Sequence, residues 1–254
     1  MNNTIEHNLL KRFYSTLVLS SIFIIFFIVI VIYMVINQEK NELKLKNEHY
    51  SALLVSSIDT ILHELKVSLL SDTLEQRSSM LFENHEFLHA VYLLDKNHKI
   101  LNSYTRNDDY IIEPNFLLSK LDNGEMLIDR FVYDDNKDSE AYELVAYNFN
   151  DKIVIMLLNI KKIAHLVLDG SKNSYMVDKD GFIYGGVNNN ARLNIYDELD
   201  LDDDWKNSHA DFSFFKSKDA WVYYTVNYLP NLKIAVFSEV KISEIFKRYL
   251  LVSI

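Results

Sequence analysis

Val91-Tyr92-Leu93-Leu94-Asp95-Lys96-Asn97-His98 and Ser174-Tyr175-Met176-Val177-Asp178-Lys179-Asp180-Gly181 are two versions of one pattern. Each is an apolar run with Tyr in second place, closed by an Asp-Lys turn, and each is followed by a renewed strand-like run: Lys99 to Tyr104 after the first and Phe182 to Gly186 after the second. An apolar run, a turn and a second run read as a hairpin. The downstream segments repeat as well. After the first hairpin come a short helix, with Pro114 in its first turn, Leu121 near its end and Asn123-Gly124 as its stop, and then strand candidates Glu125 to Tyr133, Glu140 to Phe149 and Lys152 to Asn159. After the second come the acid-rich stretch Asn188 to Ser208 and strand candidates Asp211 to Lys216, Ala220 to Asn227 and Leu232 to Ser238. Two tandem modules of about 75 residues, each with a sheet of about five strands, are predicted. The apolar segment Ile160 to Leu168 suits a linking helix, and the class is α+β.

Upstream of the repeat the period is helical. Tyr50, Leu54, Ile58, Ile61, Leu65 and Leu69 recur at spacings of three and four, and neither Gly nor Pro interrupts Gln38 to Phe82. A helix over 38–83 is predicted, its stripe covered either by its copy in a dimer or by the domain that follows. Before it, Ser15 to Ile36 carry no charge and include an unbroken Ile/Phe/Val run, Ile22 to Ile32. A bilayer core of about 30 Å needs roughly 20 such residues, so a transmembrane helix over 15–36 is predicted. No small-residue cleavage site comes after it, which argues against a signal peptide. Lys11 and Arg12 on one side and Lys40, Lys44 and Lys46 on the other leave the orientation undecided by charge. At the other end, residues 247–254 read as the opening of a second apolar span, or as a short apolar tail that packs on the domain.

Composition removes several classes of function. Of 254 residues, 49% are hydrophobic and 13% aromatic, ample for a packed core. With no Cys there is no disulfide framework, thiolate metal site or cysteine nucleophile. The 26 basic against 36 acidic residues give a net charge of −10, the wrong sign for wrapping nucleic acid. With 5 Gly and no Walker or dinucleotide fingerprint, glycine-loop nucleotide binding is disfavoured, and no cofactor is implied.

A single span, a long exit helix and two successive five-stranded modules, each opening with an apolar strand and an Asp-Lys turn, resemble the double Cache sensor domain of bacterial receptors, a tandem PAS-like architecture. The likeness covers about Gln38 to Phe246. Its most specific stretches are Tyr175 to Tyr184 and the closing Phe237-Ser238-Glu239-Val240-Lys241-Ile242-Ser243-Glu244-Ile245-Phe246, which is similar to the exit segment of such domains. The resemblance implies a cytoplasmic N-terminus (1–14), a membrane-distal module (84–168) that binds a small molecule, a membrane-proximal module (169–246), a homodimer formed through the long helix, and residence in the bacterial inner membrane with the sensor outside the cytoplasm. It also implies a cytoplasmic output domain past Ile254, such as a diguanylate cyclase, phosphodiesterase, histidine kinase or chemoreceptor signalling domain, with no enzyme in the chain itself. Amino-acid-binding members carry an Arg-x-Trp-Tyr run in the distal module. This chain has none, and Trp205 and Trp221 both fall in the proximal module. The distal module instead offers Tyr104, Arg106 and Tyr110, then Asp129, Arg130 and Tyr133, then Tyr142 and Tyr147. Arg can fork a carboxylate and Tyr can wall it in; the alternative is that these are rim charges and half-buried sheet aromatics.

Two motifs point to metal chemistry. His85-Glu86-Phe87-Leu88-His89 fits H-E-x-x-H, which on a helix holds zinc between His85 and His89 with Glu86 as general base. A zinc peptidase therefore stands as an alternative, though the strand that begins at Ala90 favours an extended segment, where residues four apart lie roughly 13 Å from each other. Asp200-Leu201-Asp202-Asp203-Asp204 has acids at alternate positions and Asp211 at the twelfth, as in a calcium loop, but Trp205 stands where the turn needs Gly. A membrane-anchored assembly protein that uses the modules only for protein contacts is the third alternative.

Overall fold

The computed structural model describes residues 2–70, 73–106, 127–133, 140–149, 152–168, 171, 173–185, 194–198, 213–216 and 221–251. Helix α1 (Asn2–Leu70) is continuous for 69 residues, so the apolar stretch and the amphipathic stretch are one rod. One correction to the sequence reading concerns its far end: the helix predicted over 38–83 stops at Leu70, and α2 (Leu74–Asn84) starts afresh. Ser71-Asp72-Thr73 are residues whose side chains compete for backbone hydrogen bonds and so weaken a helix interior. The gain is tertiary. A straight helix would carry Leu81 about 30 Å along the axis from Ile61, whereas the reversal buries Leu74 and Leu81 in the same core as Ile61 and Leu65.

The first module pairs β1 (Leu88–Asp95), β2 (Ile100–Thr105), β3 (Leu127–Tyr133), β4 (Glu140–Phe149) and β5 (Lys152–Asn159) in the antiparallel order β2-β1-β5-β4-β3. Helix α3 (Ile160–Leu168) continues from β5 without a gap, because Asn159 caps it: its Oδ1 accepts the Lys162 N–H at 3.0 Å, the N3 bond of an N-cap. The second module repeats the topology. Strands β6 (Ser174–Asp178), β7 (Ile183–Tyr184), β8 (Ser213–Lys216), β9 (Trp221–Leu229) and β10 (Ile234–Lys241) run in the order β7-β6-β10-β9-β8. The one-turn helix α4 (Ile195–Glu198) lies between β7 and β8, and β10 runs directly into α5 (Ile242–Leu251). That helix begins five residues before the predicted span opening at 247 and packs back on α1. The helix predicted from Pro114 and the acidic stretch 200–211 lie outside the described residues.

The repeated Asp explains why the motif recurs. Asp95 Oδ1 accepts the N–H groups of Asn97 (2.8 Å) and Lys99 (2.9 Å), and Asp178 Oδ1 accepts those of Asp180 (2.9 Å) and Phe182 (3.0 Å). One carboxylate thus satisfies two donors that a tight turn would leave unpaired. In Asp95 these bonds, the one from Lys99 foremost, hold the carboxyl below its ordinary pKa. Three residues after each Asp the backbone turns left-handed, at His98 (φ 65°) and Gly181 (φ 88°). A Cβ on Gly181 would meet the Tyr196 ring at 2.6 Å and the Asn194 side-chain oxygen at 2.8 Å. Gly181→Ala is therefore expected to lower stability by more than about 1 kcal/mol, since an L side chain is strained at positive φ even without the clash; a melting temperature equal to the parent's would contradict this.

The amphipathic stripe finds its cover in the modules. Tyr50, Leu54, Ile58, Ile61 and Leu65 of α1 join Val91 and Leu93 of β1, Val154, Met156 and Leu158 of β5, and Met176, Ile234 and Val236 of the second sheet in one buried core. Burying each such side chain contributes roughly 1.5–3 kcal/mol. Asn47, only 1% exposed, pins the register of helix on sheet, its Nδ2 donating to Val236 O (2.8 Å) and Thr225 O (3.0 Å) on adjacent strands. Nearer the apolar stretch, Leu43, Tyr223, Val240 and Ile245 form a smaller cluster against Val35 and Ile36. Beyond them Arg248 of α5 meets the buried Glu39 at 3.3 Å. The second module thus sits alongside the part of α1 that follows the apolar stretch, and the first module sits farther along the helix.

Candidate functional site

Strand alternation gives the first sheet two different faces. The residues that meet α1 share parity with Val91 and Met156. The opposite parity carries Ala90, Tyr92 and Leu94 of β1, Ile153, Ile155 and Leu157 of β5, and Ala146 of β4, every one of them at most 7% exposed. A sheet buried on both faces explains why β1 and β5 read as continuous apolar runs rather than as alternating ones. Tyr92, 2% exposed, is the largest fully buried side chain described on the face away from α1. It was visible in the sequence only as a Tyr within an apolar run, a pattern shared with Tyr175.

The predicted binding residues distribute unevenly over this frame. Tyr104 pairs with Val91 and packs, half-buried, against the core shared with α1, while its hydroxyl accepts the Asn102 side-chain amide at 3.2 Å. Arg106 comes just after β2 and turns back to the end of α2. Its guanidinium donates to the carbonyls of Leu88 (3.2 Å), His85 (3.0 Å) and Phe82, and lies 5.8 Å from the centre of the Phe82 ring. Tyr110 lies outside the described residues. Across β3 and β4 the register sets Asp129 opposite Leu144, Arg130 opposite Glu143, Phe131 opposite Tyr142 and Tyr133 opposite Glu140, and Tyr147 stands opposite Val154 of β5. The set is divided in two ways. Strands β2 and β3 are the two edges of the sheet, so the Tyr104–Arg106 group and the Asp129–Tyr133 group are roughly 19 Å apart, four strand spacings. Parity also separates them: the strand positions of Asp129, Tyr133 and Tyr142 match Tyr92 and Ile155, whereas those of Tyr104, Arg130 and Tyr147 match Val91 and Met156.

The H-E-x-x-H segment is not helical. His85 is the C-cap of α2, Glu86 and Phe87 form a turn, and His89 lies in β1. His85 Nε2 is 3.1 Å from Glu64 Oε2 on α1, and its ring meets Phe87 edge-on. The segment therefore ties α2 and β1 to α1. Among the described residues no group of three or more His, Cys, Asp or Glu stands together as a metal site would require. The described residues also form two recesses on α1. An open groove of about 790 Å³ runs between residues 48–63 and the end of β9, and one of about 400 Å³ separates α1 from α2, with Glu64, Arg77 and Asn84 on its walls.

No family model matches the sequence, and no curated protein matches it either. Solved structures do match. The ligand-binding domain of the Campylobacter jejuni chemoreceptor Tlp3, in complex with L-valine, is 10% identical, aligning 84% of this chain with 96% of its own at a TM-score of 0.56. The ligand-binding domain of the Pseudomonas aeruginosa amino acid chemoreceptor PctB, in complex with L-Arg, is 13% identical (82% and 97% covered, TM-score 0.53). The extracellular domain of a protein described as a histidine kinase reaches a TM-score of 0.59 at 10% identity (83% and 98% covered). At these identities the likeness is one of fold. It agrees with the double Cache resemblance read from the repeat, and the chain has the two-sheet tandem fold of these sensory domains.

Proposed function

We propose that this chain, with the double Cache fold as its premise, is the extracytoplasmic small-molecule-sensing part of a bacterial inner-membrane receptor. One observation carries the reading: two copies of one five-stranded module are strung on a single helix whose other end is too apolar for water. The most apolar stretch of α1 has a mean hydropathy of 3.1 and no residue buried in the protein. Left in water, its Phe, Ile and Val side chains would expose a patch far beyond what soluble proteins carry, whereas a bilayer removes that cost.

The ligand would sit on the face of the first sheet that turns away from α1. On register the strand rows of Asp129, Tyr133 and Tyr142 run across that face toward Tyr92, and Arg130 opposite Glu143 marks the other. Occupancy would alter the packing of the first sheet on α1, and the second module, locked to α1 through Asn47 and to α5 through Ile245, would pass the shift to the membrane and on to an output domain, with Arg248 of α5 holding Glu39 of α1. A homodimer through the exposed side of α1 would supply the two-state element. The test is a thermal-shift screen of the full chain in detergent over amino acids, organic acids, polyamines and divalent metals, because a ligand that binds only the folded state raises the melting temperature by mass action. A small-molecule shift lost in Asp129→Asn and Tyr142→Phe supports the reading. Stabilisation by zinc alone, abolished by His85→Ala or His89→Ala, would replace it with the metallopeptidase.

A further inference from the structure

We infer that the lower edge of the second module rests on the bilayer, with Trp221 as an interfacial anchor; the inference depends on the membrane reading of α1. Trp221 opens β9 and is 56% exposed, although the next residue, Val222, is 1% exposed. A large aromatic left open beside a closed core invites a second surface. The height of Trp221 is set by the contacts of β9 with α1. Tyr223 packs beside Leu43, and the carbonyl of Thr225 accepts from Asn47. Four helical residues rise about 6 Å and two strand residues about 6.6 Å, so β9 and α1 climb together in step. Two residues back from Tyr223, Trp221 stands level with about residue 39 of α1, roughly 4.5 Å past Ile36, where the uncharged stretch ends. A bilayer's polar layer adds roughly 5–7 Å to each side of its hydrocarbon core, so Trp221 falls within that layer.

The surroundings suit the same occupant. Lys241, opposite Val222 in the register, is exposed. Lys40 holds its ammonium 5.6 Å from the centre of the Tyr223 ring. Phe246 and Lys247 are exposed one turn above the end of α5, beside Arg248. Indole prefers the boundary where its ring is in apolar surroundings and its N–H is wet, and lysine stems lie along apolar surface with their charges at the phosphates. A lipid headgroup layer meets both demands, and it is continuous with the surface through which α1 would leave the membrane.

The experiment places the full chain in vesicles of phosphatidylcholine and phosphatidylglycerol whose acyl chains carry bromine either near the headgroup or near the chain end. The fluorescence of the parent minus that of Trp221→Phe isolates Trp221, an exposed position at which Phe does not disturb the core. A Phe23→Trp substitution in the Trp221→Phe background, with the emission of that background (Trp205) subtracted, reports the apolar stretch of α1 separately. The expected result is that Trp221 emission is blue-shifted and loses more intensity to bromine near the headgroup than to bromine near the chain end, while the Trp at 23 is quenched by the deep bromine. If the Trp at 23 is quenched and the Trp221 share is untouched, the anchor is wrong and the membrane reading stands. If Trp221 is blue-shifted without any bromine quenching, its partner is protein rather than lipid, which also overturns the inference. If the Trp at 23 escapes quenching, the membrane reading itself fails and the anchor falls with it.

Discussion

Asp178→Ala is expected to lower the melting temperature of the full chain in detergent by roughly 6–20 °C, on the basis of about 3–5 kcal/mol lost and 2–4 °C per kcal/mol for a folded unit of this size. The carboxylate is 2% exposed and accepts three hydrogen bonds: the N–H groups of Asp180 and Phe182 at Oδ1, and the Tyr184 hydroxyl at Oδ2 at 2.8 Å. Removing it leaves donors without partners at a buried turn, which is more costly than never having made the bonds. Asp178→Asn keeps one oxygen for the two N–H groups and is expected to lose less. Asp95 has the same two backbone bonds but no Tyr partner and is only half-buried, so Asp95→Ala is expected to be the milder of the matched pair. Equal losses at both positions would show that burial and the Tyr184 bond contribute nothing, contrary to the structure.

Arg106→Ala is expected to cost about 2–3 kcal/mol and to loosen the last turn of α2, visible as faster amide exchange there. The last carbonyls of a helix have no partner within the helix and a partial negative charge, and a guanidinium is well suited to them. Here the fork reaches the carbonyls of Phe82, His85 and Leu88 together, and so joins the end of α2 to the start of β1. Lysine has a single point of charge and cannot span the three, so Arg106→Lys is expected to recover less than half of the loss. This separates two roles for the residue. A variant that melts like the parent but no longer responds to a ligand would place Arg106 in the binding site, and its contacts with α2 would then be incidental.

The strand candidates at 140–149 and 152–159 and the helix at 160–168 match the folded elements at both ends. Their limits follow local chemistry: Asn-Asp at 150–151 is a turn-favouring pair in the sequence, and Asn159 caps the helix with its own side chain. The same holds for the repeat, because two Asp-Lys turns announce themselves through residues that bond to their own backbone. The break after Leu70 was not legible, since it is decided by where Leu74 and Leu81 find a core, and that core comes from strands later in the chain. Nor was the fate of the binding candidates. Tyr104 and Arg106 are near neighbours in the chain, yet one packs toward α1 and the other closes α2, and both lie across the sheet from Asp129 and Arg130. Strand order and parity make those assignments, and they arise from pairings between residues distant in sequence. Residue type and spacing thus determined the modules, their turns and the apolar stretch by themselves, because each depends on neighbours a few positions away; the faces, the edges and the contacts that tie both modules to α1 were decided only when distant segments met.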